Sequence, residues 1–263
     1  MSRKLIFFDI DGTLIDSNLH FPKSAEIAIK NLQANGHFVA ICSGRTYAAI
    51  KPLCFNSIAF DGKVLGCGTL VEYKNQEIFY HKISEELAIK AVESMYKYNM
   101  FPILEGKNAV FFDDEKFNNE PDRTLLKKFY SNNLKSLKDN WGNWQASKIS
   151  CSIINGVSDV ESCRKEFEDV FDFMVHNDKV VETKPKGISK ATGIEKLLEH
   201  FPVKKSDIIC FGDSINDLDM LQFSNTAIVM GNGSDEAKKY ADFVTKDIND
   251  NGILYALEQL RLI

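Results

Sequence analysis

An α/β fold is predicted for this chain: a parallel sheet covered by helices and interrupted by an inserted α+β segment. Three observations predict it. Short, largely apolar runs recur at residues 5–8, 37–42, 207–211 and 226–230, the composition of strands buried on both faces. Segments with helical spacing separate these runs, the order expected of parallel strands joined by right-handed crossovers. Between residues 83 and 183 the alternation gives way to a mixed pattern, and afterwards it returns. With 263 residues the chain suits a core of residues 1–82 and 184–263 with a second domain, 83–183, inserted into it.

Leu5-Ile6-Phe7-Phe8 is a strand that stops at Asp9. Residues 24–35 place apolar side chains at helical intervals, with Ser24 as N-cap and Gly36 as the stop. Residues 37–42 form the next strand, which runs into Ser43-Gly44-Arg45 and a helix from Thr46 to about residue 53. Residues 57–82 read as β-rich: a strand at 57–60, an apolar run at 64–73, and a turn at 74–76 before a last run.

The inserted segment reads as a helix at 84–98, strands at 101–104 and 109–112 joined through Glu105–Asn108, and a helix at 120–130. A strand at 148–154, a helix at 158–170 and a strand pair at 172–176 and 180–182 complete it, with Trp141 and Trp144 as packing residues. Gly187, just after Pro185, stands where a linker would hinge. A helix then begins near Ser189 and contains Lys190. Strands at 207–211, 226–230 and 243–245 alternate with helices at 235–240 and 250–262.

Composition narrows the function. The apolar fraction of 44% supports a core, and a net charge of −5 lacks the basic footprint of a nucleic-acid binder. A phosphorylated substrate stays compatible, since a metal and a few lysines reverse the sign locally. The six cysteines form no CxxC pair and read as reduced thiols of a cytoplasmic protein. Residues 1–4 lead straight into a strand, without a signal sequence, and no apolar run approaches the roughly 18–20 residues of a membrane span.

The chemistry gathers at strand ends. Asp9 and Asp11 follow the first strand, with Gly12 and Thr13 beyond them. Two carboxylates at the carboxyl end of a buried strand call for a positive partner, and Mg²⁺ is the natural one. Ser43 and Gly44 follow the second strand beside a helix N-terminus, a place suited to an oxyanion, although Ser43 as a simple N-cap fits equally. Asp213 follows another buried strand. Taken singly, Lys190 reads as a solvated lysine, Asn216 as a left-handed turn residue and Asp217 as a helix cap. Arg45 fits a phosphate contact, an acid pair or a helix surface. Asp219 sits away from the ion, Asp113-Asp114-Glu115 reads as a solvated loop, and the five histidines receive no chemistry.

Together, Asp9-x-Asp11-Gly12-Thr13, Ser43-Gly44-Arg45, Lys190 and Gly212-Asp213-x-x-Asn216-Asp217 resemble, in order and spacing, the motifs of the haloacid dehalogenase-like phosphatases. The chain is most similar to their Cof-like group, subfamily IIB, whose large C2-type cap lies between the second and third motifs. The resemblance covers roughly residues 1–80 and 185–263. It departs from that group at Cys67-Gly68, where members often carry Asn-Gly.

The resemblance implies a Rossmann-like parallel sheet core with helices on both faces plus an α+β cap. It implies Asp9 as nucleophile forming an aspartyl-phosphate, and Asp11 as acid and then base. Lys190, Ser43, Gly44 and Asn216 would hold phosphate, and Asp9, Asp11 and Asp213 would hold Mg²⁺. Asp217 would steady Lys190 or a metal-bound water from behind. The expected substrate is a small phosphorylated metabolite such as a sugar phosphate, with no nucleic-acid or membrane partner, for a monomer or homodimer. Two alternatives use the same residues: a phosphotransferase or mutase, and a non-catalytic phosphometabolite-binding regulator.

Overall fold

The strand Leu5–Phe8 is buried at every position and pairs in parallel with Phe38–Cys42 on one side and Ile208–Gly212 on the other. Phe7 lies opposite both Ala40 and Cys210. Ile6, Phe7 and Phe8 are wholly buried, each contributing about 1.5–3 kcal/mol by leaving water. The structure, a computed structural model, describes all residues except 1–2, 51–54, 56, 118–129, 131–132, 177–178, 201 and 203.

The chain divides into two units. The first comprises Met1–Gly44, Cys54–Phe79 and Ser189–Ile263. Its sheet runs, in spatial order, Phe243–Val244, Thr226–Val229, Ile208–Gly212, Leu5–Phe8, Phe38–Cys42, Gly62–Leu65, Leu70–Tyr73 and Gln76–Tyr80, the last strand crossing the division after Phe79. The first six are parallel, and Leu70–Tyr73 is antiparallel to its neighbour. Strand order therefore reverses at Leu5–Phe8, and in such a sheet the crevice beyond the carboxyl ends at that point receives the ligand.

Beyond shifts of one to three residues at element ends, the first unit departs from expectation at its first helix and before and within its first hairpin. The helix Lys23–Ala34 begins one residue before Ser24, and its N-cap, Pro22, makes no side-chain cap. Residues 57–60 form no strand, although Ile58 and Phe60 are buried. The apolar run at 64–73 is a tight hairpin rather than one strand, with Leu65 opposite Leu70 and left-handed backbone at Gly66, Cys67 and Gly68. Two glycines in three residues permit that reversal, which apolarity alone conceals.

The second unit comprises Arg45–Leu53 and Tyr80–Ile188. Its sheet runs Phe171–His176, Val180–Pro185, Ala146–Ser152, Phe101–Gly106, Val110–Phe112 and Leu134–Ser136. Ala88, Val92 and Met95 of the helix Glu85–Lys97 pack on Leu104, Ile149 and Cys151, beside Cys163 and Phe167. The helix Tyr47–Ile50 contributes Ala48 to a smaller cluster with Ile103, Val110 and Phe117. The end of the helix expected from Thr46 and nearly all of the helix expected at 120–130 fall outside the described residues.

Here too the boundaries move. The helix expected at 158–170 is Val160–Glu166, and the strand expected at 148–154 is Ala146–Ser152. The strand Leu134–Ser136 was not anticipated, its sequence carrying too little apolar signal. Glu105 is not in a loop: it is buried in a strand, paired with Val110 and Lys148. It accepts from Ser150 Oγ at 2.6 Å, and Lys148 Nζ lies 2.9 Å from Glu182 Oε2. Asp113 is likewise buried rather than solvated, accepting from Tyr96 Oη at 2.8 Å and the Glu115 amide at 3.0 Å. Trp144 is buried with its indole N–H donating to the Leu137 carbonyl, whereas Trp141 packs edge-on against it and is 43% exposed. The five described cysteines are free and buried, and no described helix is long and apolar enough to cross a membrane.

Candidate active site

Three neighbouring strands end together, and each delivers an expected site residue. Leu5–Phe8 delivers Asp9, Phe38–Cys42 delivers Ser43 and Gly44, and Ile208–Gly212 leads into Asp213. The Asp9 amide donates to the Phe211 carbonyl at 2.9 Å, and the Ser43 amide donates to Val64 at 2.8 Å. Asp9 is 3% exposed and Ser43 1%.

Lys190 opens the helix Lys190–Leu198 and is 1% exposed. Its ammonium lies 2.7 Å from Asp9 Oδ1 and 2.5 Å from Asp217 Oδ1. It is therefore not a solvated lysine. A buried ammonium is tolerable only when paired and hydrogen-bonded, as it is here. Burial opposes its charge, but Asp217 and then Asp9 hold its proton, so its pKa is raised well above normal.

Asp217 does not cap the helix that follows it. Its Oδ2 turns back to accept the amides of Asp213 at 2.9 Å and Ser214 at 3.1 Å. Both its carboxylate oxygens are thus engaged. Asn216 is not left-handed; it lies in the short 3₁₀ turn Ile215–Asp217 and accepts from Ser214 Oγ at 2.7 Å. Asp219 accepts from the Ala191 amide at 3.4 Å. Arg45 belongs to the second unit.

The electrostatics are unbalanced. Burial raises the Asp9 pKa well above normal, the Asp217 carboxylate adds to this, and Lys190 offsets part. Burial and then Asp217 push Asp213 up to about 7. Asp213 Oδ1 is buried without a hydrogen-bond partner. Oxygens of Asp9, Asp213 and Asp217 lie within 4.8 Å of one another. Gly12, left-handed at φ 78°, makes this crowding possible, because a Cβ there would meet Asp213 Oδ2 at 2.4 Å. An open cleft of about 420 Å³ borders Asp213 and is lined also by Asp11, Asn232 and Asp247.

Two packing residues were missed by sequence reading. A Cβ on Gly68 would sit 2.0 Å from the Ser189 carbonyl, and one on Gly193 2.9 Å from the Gly68 Cα. The helix carrying Lys190 can approach the hairpin only because both residues are glycine. Gly68→Ala is expected to cost about 1–3 kcal/mol in chemical denaturation, the usual penalty of overpacking, and to lower activity by displacing Lys190.

With this geometry in view, comparison with known proteins is direct. The model of the haloacid dehalogenase-like hydrolases matches residues 6–257, and the chain belongs to that family. Within it the protein is a phosphatase of the Cof-like, subclass IIB type. The chain is 31% identical to YkrA of Bacillus subtilis (strain 168) over the whole of both chains. It is 26% identical to 5-amino-6-(5-phospho-D-ribitylamino)uracil phosphatase YitU of the same organism, covering 97% of this chain and 96% of that one. Among solved structures, a hypothetical protein from Geobacillus kaustophilus HTA426 superposes with a TM-score of 0.86 at 29% identity over all of both chains. A sugar phosphatase of HAD subclass IIB superposes with a TM-score of 0.81 at 25% identity, covering 99% of this chain and 100% of that one.

Proposed function

We propose that this phosphatase hydrolyses small phosphomonoesters, sugar phosphates or related phosphometabolites, in a Mg²⁺-dependent reaction through an aspartyl-phosphate on Asp9. The observation that carries the reading is the buried set Asp9–Lys190–Asp217 beside Asp213, whose Oδ1 lacks a partner. A structural ion pair would need one acid; here a single ammonium faces several carboxylates. A hard cation with oxygen ligands completes such a set.

Asp9, the Asp11 backbone carbonyl and Asp213 would hold Mg²⁺, which supplies charge neutralisation for an incoming phosphate. In the first half-reaction an Asp9 carboxylate oxygen bonds to phosphorus as the bond to the leaving oxygen breaks. Asp11 donates its proton to that oxygen, releasing an alcohol. In the second, Asp11 takes a proton from water, the water oxygen bonds to phosphorus, and the bond to Asp9 breaks. Lys190 steadies the phosphoryl charge, with Ser43, Gly44 and Asn216 as phosphate contacts and Asp217 fixing Lys190. Residues 83–183 would serve as the cap over a core of 1–82 and 184–263, reading the leaving group and limiting water. YitU and the subclass IIB sugar phosphatase, with phosphorylated polyol and sugar substrates in their names, support this substrate class.

The test is inorganic phosphate release from p-nitrophenyl phosphate and a panel of phosphometabolites, with and without Mg²⁺. Release requiring Mg²⁺ is expected. Equal release after chelation would overturn the metal's role, and transfer to a second sugar hydroxyl outpacing release to water would make the enzyme a phosphotransferase.

The Asp213 value of about 7 sets a pH dependence. Only the carboxylate binds a cation, so displacement of the Asp213 proton alone should make apparent Mg²⁺ affinity fall at least about tenfold per pH unit below that point. Stability of the chelated protein moves the other way. Folded Asp213 binds a proton more tightly than unfolded Asp, so this group's contribution is lost as pH rises from about 4 to about 7. Thermal midpoints with EDTA and with Mg²⁺ should diverge increasingly as pH rises toward about 7, and the gap should level off above it.

A further inference from the structure

We infer that Asn232 is a positioning residue that sets the separation of the two loops carrying Asp11 and Asp213, and through it the affinity for the divalent cation. The inference rests on the metal reading proposed above. It starts from a third loop, which follows the strand Thr226–Val229 and touches both acid-bearing loops.

The grip on Asp213 is made by backbone. The Met230 amide donates to the Gly212 carbonyl at 3.0 Å, and the Ser234 amide donates to the Asp213 carbonyl at 2.8 Å. Gly233 lies so close that a Cβ there would meet the Asp213 carbonyl oxygen at 2.8 Å. The Asn232 side chain is what reaches from this loop to the Asp11–Gly12 loop: its Nδ2 donates to the Gly12 carbonyl at 2.8 Å. Its Oδ1 accepts the Ile248 amide at 2.9 Å, which fixes the donor end of the amide toward Gly12.

The chemistry requires an amide at this position. One neutral planar group must donate at one end and accept at the other. A carboxylate lacks the donor and would face a carbonyl with like polarity, and a hydroxyl is too short to span both partners. The peptide that Asn232 holds adjoins the Asp11 carbonyl, the proposed cation ligand, so freeing it frees that carbonyl. Residues that orient a metal's ligands tune its affinity although they never touch it. Asn232 also lines the cleft shared by Asp11 and Asp213, and its side chain is largely exposed, so the two hydrogen bonds owe little to core burial.

The experiment is calorimetric titration of Mg²⁺ into chelator-treated, full-length wild type, Asn232→Ala and Asn232→Ser, with thermal midpoints in EDTA and kcat and KM for p-nitrophenyl phosphate. Both variants should bind Mg²⁺ about tenfold more weakly, with near wild-type midpoints in EDTA and a lower kcat at subsaturating Mg²⁺ that excess Mg²⁺ restores. Affinity within twofold of wild type in either folded variant overturns the inference. A variant that unfolds in EDTA makes Asn232 a fold residue and overturns it as well. Absence of Mg²⁺ binding by the wild type defeats the metal reading itself, a result distinct from the other two.

Discussion

Replacing Asp9 with asparagine is expected to abolish turnover and, in metal-free buffer, to raise the thermal midpoint. The carboxylate is the proposed nucleophile, and an amide cannot form the acyl-phosphate. Loss of a covalent nucleophile typically costs roughly 10⁴-fold or more in kcat, leaving only what binding and electrostatics supply. Phosphate release at saturating Mg²⁺ reads this directly; a loss below about tenfold would remove Asp9 from the covalent step.

The stability effect has the opposite sign. Burial, then Asp217, hold the folded-state Asp9 pKa well above normal. Folding therefore favours the proton, and this group's stabilising contribution is lost as pH rises above the unfolded value near 4. Wherever Asp9 is ionised in the folded protein, the wild type bears that cost. Asn removes the charge, while Lys190 keeps its contact with Asp217. Functional sites commonly hold such strain in exchange for activity. Added Mg²⁺ should stabilise wild type more than Asp9→Asn, since a ligand stabilises only the state that binds it.

Lys190→Ala should have the largest effect on the fold of any change in the site. The side chain is 1% exposed, and its ammonium contacts two carboxylates that are themselves 3% and 0% exposed. Truncation leaves those charges facing each other with nothing between them. Breaking a buried pair from one side costs about 3–5 kcal/mol, because the partner stays buried and uncompensated. Urea denaturation should show that loss with an unchanged slope. Lys190 is protonated throughout the neutral range, its pKa being raised, so the cost should hold from neutral pH up to its unfolded value near 10.5 and shrink in acid, where the facing carboxylates protonate. Adding Asp217→Asn to Lys190→Ala should recover part of the loss, since the three groups act as one network and their single effects do not add. Strict additivity would mean that the ammonium and the Asp217 carboxylate are energetically independent. Phosphate release should fall with either change.

Legibility from sequence followed the physics of each element. Leu5–Phe8, Phe38–Cys42, Ile208–Gly212 and Thr226–Val229 were readable because strands buried on both faces admit almost no polar residue. Leu134–Ser136 was not, because an edge strand needs only one partner and little apolar content. Glu105 and Asp113 looked solvated because charge predicts exposure on average. Their burial depends on partners far along the chain, Ser150 at one and Tyr96 at the other. Gly68 and Gly193 gave no signal, since contact between a hairpin and a helix more than a hundred residues later leaves no local pattern.

Asp9, Asp213 and the glycine bend at Gly12 stood out in the sequence because an acid directly after a buried strand is costly unless something holds it there, and Asp11 stood out by its place beside them. Which of many lysines matters, which way Asp217 turns, and how Asn232 ties two loops were decided only when the chain folded. Those properties belong to distances between residues remote in sequence, and such distances are set by packing rather than by neighbours in the chain.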